Sequence, residues 1–433
     1  MGNNKLGLIA LIALVAGNMM GSGILLLPSE LATLGSISLY AWIFSTIGAI
    51  CLALVFTRLF ALFPKTGGPY AYTRQVLGPL AGFQAAYNYW LAMWVGNTAV
   101  VVAAVGYLQI FFPGLDNRMA ALVMGWVIIW FTTFINIRGF KEIGFVQIVM
   151  TVVKLIPLFI VIIFGWFFIH PAYYHQYTNI SQPHHGAFVV LSLAIVLTFW
   201  SFLGLESATV PAENIANPKR NVPLATILGL LLTSAVYILS TTVVFGMVKA
   251  PYLAHSTSPF ADAANVIMGH WGYWVVGVGA IATCLGCLNG WIMMQGQVAM
   301  AAANDRLFPQ IFAKQNDHEL PVYALLFSSL CMSVLLLMTA FQSLIEQFQA
   351  IILFSTFANL IAYLYASVAD FVLLKRREPT VKYPKLRSAI TTIAIIFTLW
   401  AIFSSGERTV LVGIFLLAIS FPVYFLFVKK KAE

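Results

Sequence analysis

Apolar residues come in runs of about twenty or more, separated by short polar stretches, and this rhythm recurs along the whole chain. A helix rises 1.5 Å per residue, so about 20 apolar residues cross a hydrocarbon layer ~30 Å thick. Twelve runs meet that length, at roughly 6–34, 38–63, 81–112, 119–137, 143–169, 187–213, 223–248, 270–302, 321–341, 347–374, 388–404 and 409–428. The expected fold is all-α and integral to a membrane, with both termini on one side. Two runs are not uniform. The first reads Ala16-Gly17-Asn18-Met19-Met20-Gly21-Ser22-Gly23 in its middle, and the sixth reads Trp200-Ser201-Phe202-Leu203-Gly204-Leu205-Glu206-Ser207. Each glycine weakens a helix by roughly 1 kcal/mol relative to alanine. Freed backbone groups survive in a bilayer only where they meet protein or line a cavity. Gly21 and Gly204 lie 183 residues apart, and each opens a group of five spans. This predicts a five-plus-five inverted repeat, about 6–169 and 187–374, with broken helices 1 and 6. Two C-terminal helices, about 388–428, complete a single domain over 1–433.

Composition agrees. Charged residues are 9% of the 433 and hydrophobic ones 61%, against about 25% charged in a soluble domain. A soluble enzyme and a disordered chain are excluded. The net charge of +9 would suit nucleic acid, but its distribution says otherwise. With the N-terminus cytoplasmic, nineteen of the 23 basic residues fall in inner loops and tails. Only Arg118, Lys249 and Arg408 fall outside, and Lys154 lies within the fifth span. This positive-inside bias predicts a multi-pass protein of the inner (plasma) membrane with both termini cytoplasmic. The partner is the lipid bilayer and no nucleic acid is needed. His170, His175, His184, His185, His255 and His270 lie in or next to outer loops, either as acid sensors or as ordinary polar residues. Cys51, Cys284, Cys287 and Cys331 sit in apolar runs and form no disulfide framework. No Walker motif, convergent nucleophile and base, or metal-ligand set occurs. No catalytic residue, metal or cofactor is expected.

The two interruptions carry the chemistry. A half-helix N-terminus offers free N–H groups and a partial positive charge, so the amides at Ser22 and Gly23 suit a carboxylate. Unwound carbonyls in the sixth span suit an α-ammonium. The other reading is that the glycines only allow close helix packing. Glu206 is the one acid expected deep in a span, either as a proton carrier or gate, or as a structural cap of the broken helix. Lys154 has two readings: an ammonium replacing a sodium ion between the fifth, first and eighth spans, or a side chain that snorkels to the inner face. Trp200 and Trp291 each neighbour a glycine and can stack on a cation. Asn97 and Ser355 are mid-span polar residues, either ligands or interhelical glue.

These segments, with Gly67-Gly68-Pro69-Tyr70-Ala71-Tyr72, Tyr89-Trp90-Leu91-Ala92, Asn217-Pro218-Lys219-Arg220-Asn221-Val222-Pro223 and Cys284-Leu285-Gly286 through Gly290-Trp291, carry a resemblance over nearly the whole chain. The sequence resembles the amino acid–polyamine–organocation (APC) transporters, in the basic amino acid/polyamine antiporter branch. The resemblance implies a twelve-helix fold, a homodimer, and exchange of a cationic amino acid, arginine, for its decarboxylated amine, agmatine. It implies functional coupling to a cytoplasmic amino acid decarboxylase, supporting acid resistance. Ser22 and Gly23 match its carboxylate-binding turn, Trp200 its stacking aromatic, and Asn97, Trp291 and Ser355 positions around the distal cation. Asn18 and Leu203, in the two glycine segments, join the expected pocket. Met93 and Val100 stand where arginine-specific members have a cysteine and a methionine. Glu206 matches the acid of the sixth helix, Tyr89 a gating tyrosine and Tyr70 a pH-sensing one. Lys154 departs from the branch and resembles the lysine of proton-coupled members elsewhere. The alternative is a proton-coupled symporter or exchanger of neutral or mixed amino acids.

Overall fold

The computed structural model describes residues 7–64, 67–138, 155–156, 158–176, 186–209, 215–376 and 384–425. Among them the chain forms helices and no strand. In order these are α1 (Leu8–Met19), α2 (Ser22–Leu34), α3 (Ser38–Leu62), α4 (Pro69–Leu77), α5 (Pro79–Leu108), α6 (Arg118–Arg138), α7 (Leu158–Phe168), α8 (Pro171–Gln176) and α9 (Ala187–Trp200). There follow α10 (Pro218–Met247), α11 (Ala250–Leu253), α12 (Pro259–Met268), α13 (His270–Asn304), α14 (Val322–Thr339), α15 (Leu344–Lys375), α16 (Pro384–Ser404) and α17 (Glu407–Val423). Nine helical stretches among the described residues, counting α1 and α2 together, are long and apolar enough to cross a membrane. The two shorter apolar helices are α7 and α9. Short helices outside these stretches, α4, α8, α11 and α12, were not expected from apolar runs, because their hydrophobic content is local.

Local chemistry sets several of the ends. Proline occupies the first helical position of α4, α5 and α10, where its missing N–H has no intrahelical partner in any case. Ser343 and Glu346 form a reciprocal capping box at the start of α15. Helices α5 and α15 are the most enclosed, with 83% and 72% of their apolar windows buried, against 33% for α16. They run side by side through the centre and make each other's largest contact. Helices α6, α14 and α16 leave large side chains such as Phe131, Met338 and Phe403 exposed on the outside, as a lipid-facing helix does.

Polar ties fix this arrangement. Arg58 of α3 pairs with Asp370 of α15 at 3.1 Å, the two side chains 10% and 1% exposed. Thr391 of α16 donates to the same carboxylate at 2.6 Å. Removing one partner of such a buried pair costs about 3–5 kcal/mol.

Candidate functional site

The first span breaks where the glycines predict. α1 ends at Met19 and α2 begins at Ser22, with two residues between them. The sixth span breaks over a longer stretch. α9 ends at Trp200, residues 201–206 form turns, and Ser207–Thr209 make a short 3-10 turn. Gly204 has φ +99°, the left-handed region, and a Cβ there would meet Trp291 at 2.8 Å. Glycine is therefore required at this position on two grounds. Gly23 matters for space, since a Cβ there would come within 2.9 Å of the Trp200 ring.

The two breaks face each other and are joined by side chains. Tyr237 of α10 puts its hydroxyl 2.6 Å from the Met19 carbonyl and 2.9 Å from the Ser201 carbonyl. Asn18 donates to Ser207 Oγ at 3.0 Å, and Ser207 donates to the Gly204 carbonyl at 2.5 Å. Trp291 donates its indole N–H to the Asn18 carbonyl at 3.2 Å. These bonds satisfy the backbone that the breaks set free.

Between the breaks, α5 and α15 lies a cavity. Asn18, Ser22, Gly23, Met93, Asn97, Trp200, Leu203, Trp291 and Ser355 all line it. The structure thus brings together every residue that the sequence placed in a pocket. One end holds the α2 N-terminus at Ser22 and Gly23, where helix N–H groups point outward. Trp200 and Trp291 supply ring faces, and Trp200 is held edge-on by Phe348 at 5.4 Å between centroids. Asn97 donates to Gln295 Oε1 at 2.7 Å, and Ser355 donates to the Ala92 carbonyl at 2.8 Å. No ionisable carboxyl or basic side chain lines the cavity among the described residues. A cationic ligand here meets ring faces and neutral oxygens.

The remaining candidates lie elsewhere. Glu206 is fully buried beside the cavity and does not line it. Its Oε1 accepts from the Tyr89 hydroxyl at 2.5 Å, and its Oε2 accepts from the Tyr363 hydroxyl. Tyr70 sits on α4, away from the cavity, at 2% exposure. Burial, then the nearby Asp305 carboxyl, pushes its phenol above the usual range, with Arg74 opposing. Arg74 and Asp305 form an ion pair at 2.7 Å that ties α4 to the end of α13. Lys154, His184 and His185 lie outside the described residues.

Two expectations need correction or extension. Glu206 is not the only buried acid among the described residues, because Glu30 and Asp370 are each only 1% exposed. Both lie within about five residues of a helix C-terminus, Glu30 in α2 and Asp370 in α15. Several neighbours of the site were also not foreseen. Tyr363, Tyr237, Gln295 and Asn359 are single polar residues in long apolar helices, with no glycine break beside them to mark them.

Long apolar helices around a central cavity, with two helices interrupted at it, define a multi-pass membrane transporter rather than an enzyme. Residues 6–428 match the family described as "Amino acid permease". The cadaverine/lysine antiporter of Escherichia coli is 39% identical over 334 residues, which is 77% of this chain and 74% of that protein. The putrescine transporter PotE of Haemophilus influenzae is 31% identical over 424 residues, 98% of this chain and 97% of that protein. PotE of E. coli is 31% identical over 425 residues, 98% and 96% of the two chains. The chain belongs to the amino acid permease family of the APC superfamily, in its basic amino acid/polyamine antiporter branch.

Proposed function

We propose that the protein is a secondary antiporter of the bacterial inner membrane that takes in a cationic amino acid and releases its decarboxylated amine. The observation that carries this reading is the cavity itself. It joins a helix N-terminus, two tryptophan faces and uncharged oxygen acceptors, with no carboxyl or basic side chain among the described residues. Such a wall suits one compound with a carboxylate at one end and a cation at the other. It also suits the same compound without its carboxylate, because the cation end is unchanged.

The amides at Ser22 and Gly23 would take the carboxylate. Carbonyls freed between Ser201 and Glu206 would take the α-ammonium, and Trp200, Trp291, Asn97 and Ser355 the distal chain. Asn18, Met93 and Leu203 shape the pocket. Glu206, with Tyr89 and Tyr363, would govern opening. Tyr70 and the Arg74–Asp305 pair lie on the α4 side of the molecule, where α4 meets α13. The two breaks, 183 residues apart and facing one cavity, support a five-plus-five inverted repeat. Nine long stretches, two shorter apolar helices and α17 fall on the twelve expected spans. The basic bias of the predicted inner loops supports cytoplasmic termini. A homodimer and coupling to a decarboxylase follow from the proposed exchange class and remain part of this reading.

Arginine and agmatine are the pair the sequence suggests, while the relatives' names favour lysine with cadaverine, or putrescine. Counterflow in proteoliposomes at acid pH without sodium decides among them. Labelled lysine or arginine enters only when a matching amino acid or amine is loaded inside. Absence of exchange with any cationic amino acid overturns the proposal. Exchange of neutral amino acids alone would establish the mixed-exchanger alternative, and make Lys154 the next residue to substitute.

A further inference from the structure

The cavity holds one buried acceptor that the assignment above leaves unused. Asn359 lines the cavity, is 2% exposed, and its Oδ1 has no hydrogen-bond partner among the described residues. Buried side-chain polar atoms are nearly always paired, so an unpaired one at a cavity wall points to something that binds there. Two other cavity-lining atoms share this state, Ser22 Oγ and Ser201 Oγ. Those two belong to the broken helices. Asn359 instead sits on the continuous helix α15.

Its neighbours on that helix are already engaged. Ser355, Asn359 and Tyr363 are four residues apart, so they share one face at steps of about 6 Å. Ser355 donates to the Ala92 carbonyl at 2.8 Å, and Tyr363 donates to Glu206. Across the cavity, the Asn97 amide nitrogen is taken by Gln295 at 2.7 Å. On the α15 face that carries Ser355, Asn359 Oδ1 is therefore a buried amide oxygen with no donor among the described residues.

Resting on the reading of this cavity as the substrate site, we infer that Asn359 accepts a hydrogen bond from the distal ammonium of the cargo. It thereby sets head-group and chain-length preference. With no carboxyl on the wall, a desolvated ammonium must find oxygen acceptors for its three N–H groups. Ring faces satisfy part of its charge but give no directed acceptor. A guanidinium spreads its charge over a plane and stacks well on tryptophan, so it depends less on a single oxygen. A buried amide acceptor beside these ring faces favours an ammonium, and so a lysine-type cargo over an arginine-type one.

The test measures binding to the purified full-length protein by calorimetry, with lysine, norleucine, ornithine, arginine and cadaverine as probes. Norleucine is lysine without its ε-ammonium. Asn359→Leu weakens lysine at least ~10-fold, as expected for a lost bond to a charged donor. It leaves norleucine within about threefold or tightens it. Equal weakening of both ligands, or of neither, overturns the inference. Asn359→Gln keeps the amide but carries it one methylene further into the cavity. It shifts preference from lysine toward ornithine, whose chain is one methylene shorter, and an unchanged lysine-to-ornithine ratio overturns the inference even where the leucine variant does not fold. Wild-type protein that binds none of the five probes overturns the proposed function itself.

Discussion

The two helix breaks share a cavity but differ in length and in what they present to it. The first takes two residues, Met20 and Gly21, and the helix resumes at once at Ser22. It carries no ionisable side chain, and what it offers is a set of N–H donors. The second runs through six residues of turn before the short helix at Ser207–Thr209. It offers carbonyl acceptors and one carboxyl, Glu206, fixed by two phenols. A short break keeps a helix end aimed at one point. A long break gives up more backbone bonds and needs side chains to replace them. Tyr237, Asn18 and Ser207 do this replacing at the second break, while at the first Tyr237 and Trp291 bond the Met19 and Asn18 carbonyls and the helix N–H groups stay free to face the cavity.

That contrast orders the expected effects of substitution. Gly204→Val has the largest. It forces a β-branched residue into positive φ and against Trp291, costing at least ~2–3 kcal/mol. Exchange in proteoliposomes is lost and the melting temperature of the purified protein falls. Glu206→Ala comes next, because it leaves two buried phenol hydroxyls without an acceptor, about 1–3 kcal/mol for each. Glu206→Gln keeps one acceptor oxygen, so its melting temperature lies between those of wild type and the alanine variant. Tyr237→Phe removes the donor shared by two carbonyls and costs about 1–2 kcal/mol, read as a drop in melting temperature with slower exchange. Ser22→Ala has a smaller effect, a few-fold rise in KM, since the backbone N–H groups remain. A loss as large as that of Glu206→Ala would mean that the first break also acts through its side chain. The smallest effect is that of Tyr70→Phe on pH dependence. A phenol normally titrates near pH 10, and burial moves Tyr70 higher still. It stays neutral between pH 4 and 9, so the midpoint of the transport–pH profile is the same with phenylalanine.

Much of this architecture was legible in the sequence because the bilayer allows few solutions. Apolar length alone located α5, α6, α10, α13, α14, α15 and α16 to within a few residues of their observed ends. The glycines around positions 21 and 204 located both breaks, since a bilayer tolerates freed backbone only at a cavity. The site residues beside those breaks followed from position. Asn359 did not, because it sits in an unbroken apolar helix where a single amide is as often interhelical glue as ligand. Tyr237 was one tyrosine among 17, and nothing local marks the one that reaches two distant carbonyls. Nothing in the apolar pattern marks Glu30 or Asp370 as buried, because the pattern gives span length and not packing. Only packing reveals that both are buried.

The uncharged wall of the cavity has an electrical consequence. With no carboxyl or basic side chain lining it among the described residues, a bound cation keeps its own charge as it moves with the carrier. On the proposed exchange, a singly charged amino acid enters and a doubly charged amine leaves, so each cycle carries one net positive charge outward. Across 100 mV that charge is worth about 2.3 kcal/mol. An inside-negative voltage therefore opposes every turnover, and the carrier slows as the membrane hyperpolarises.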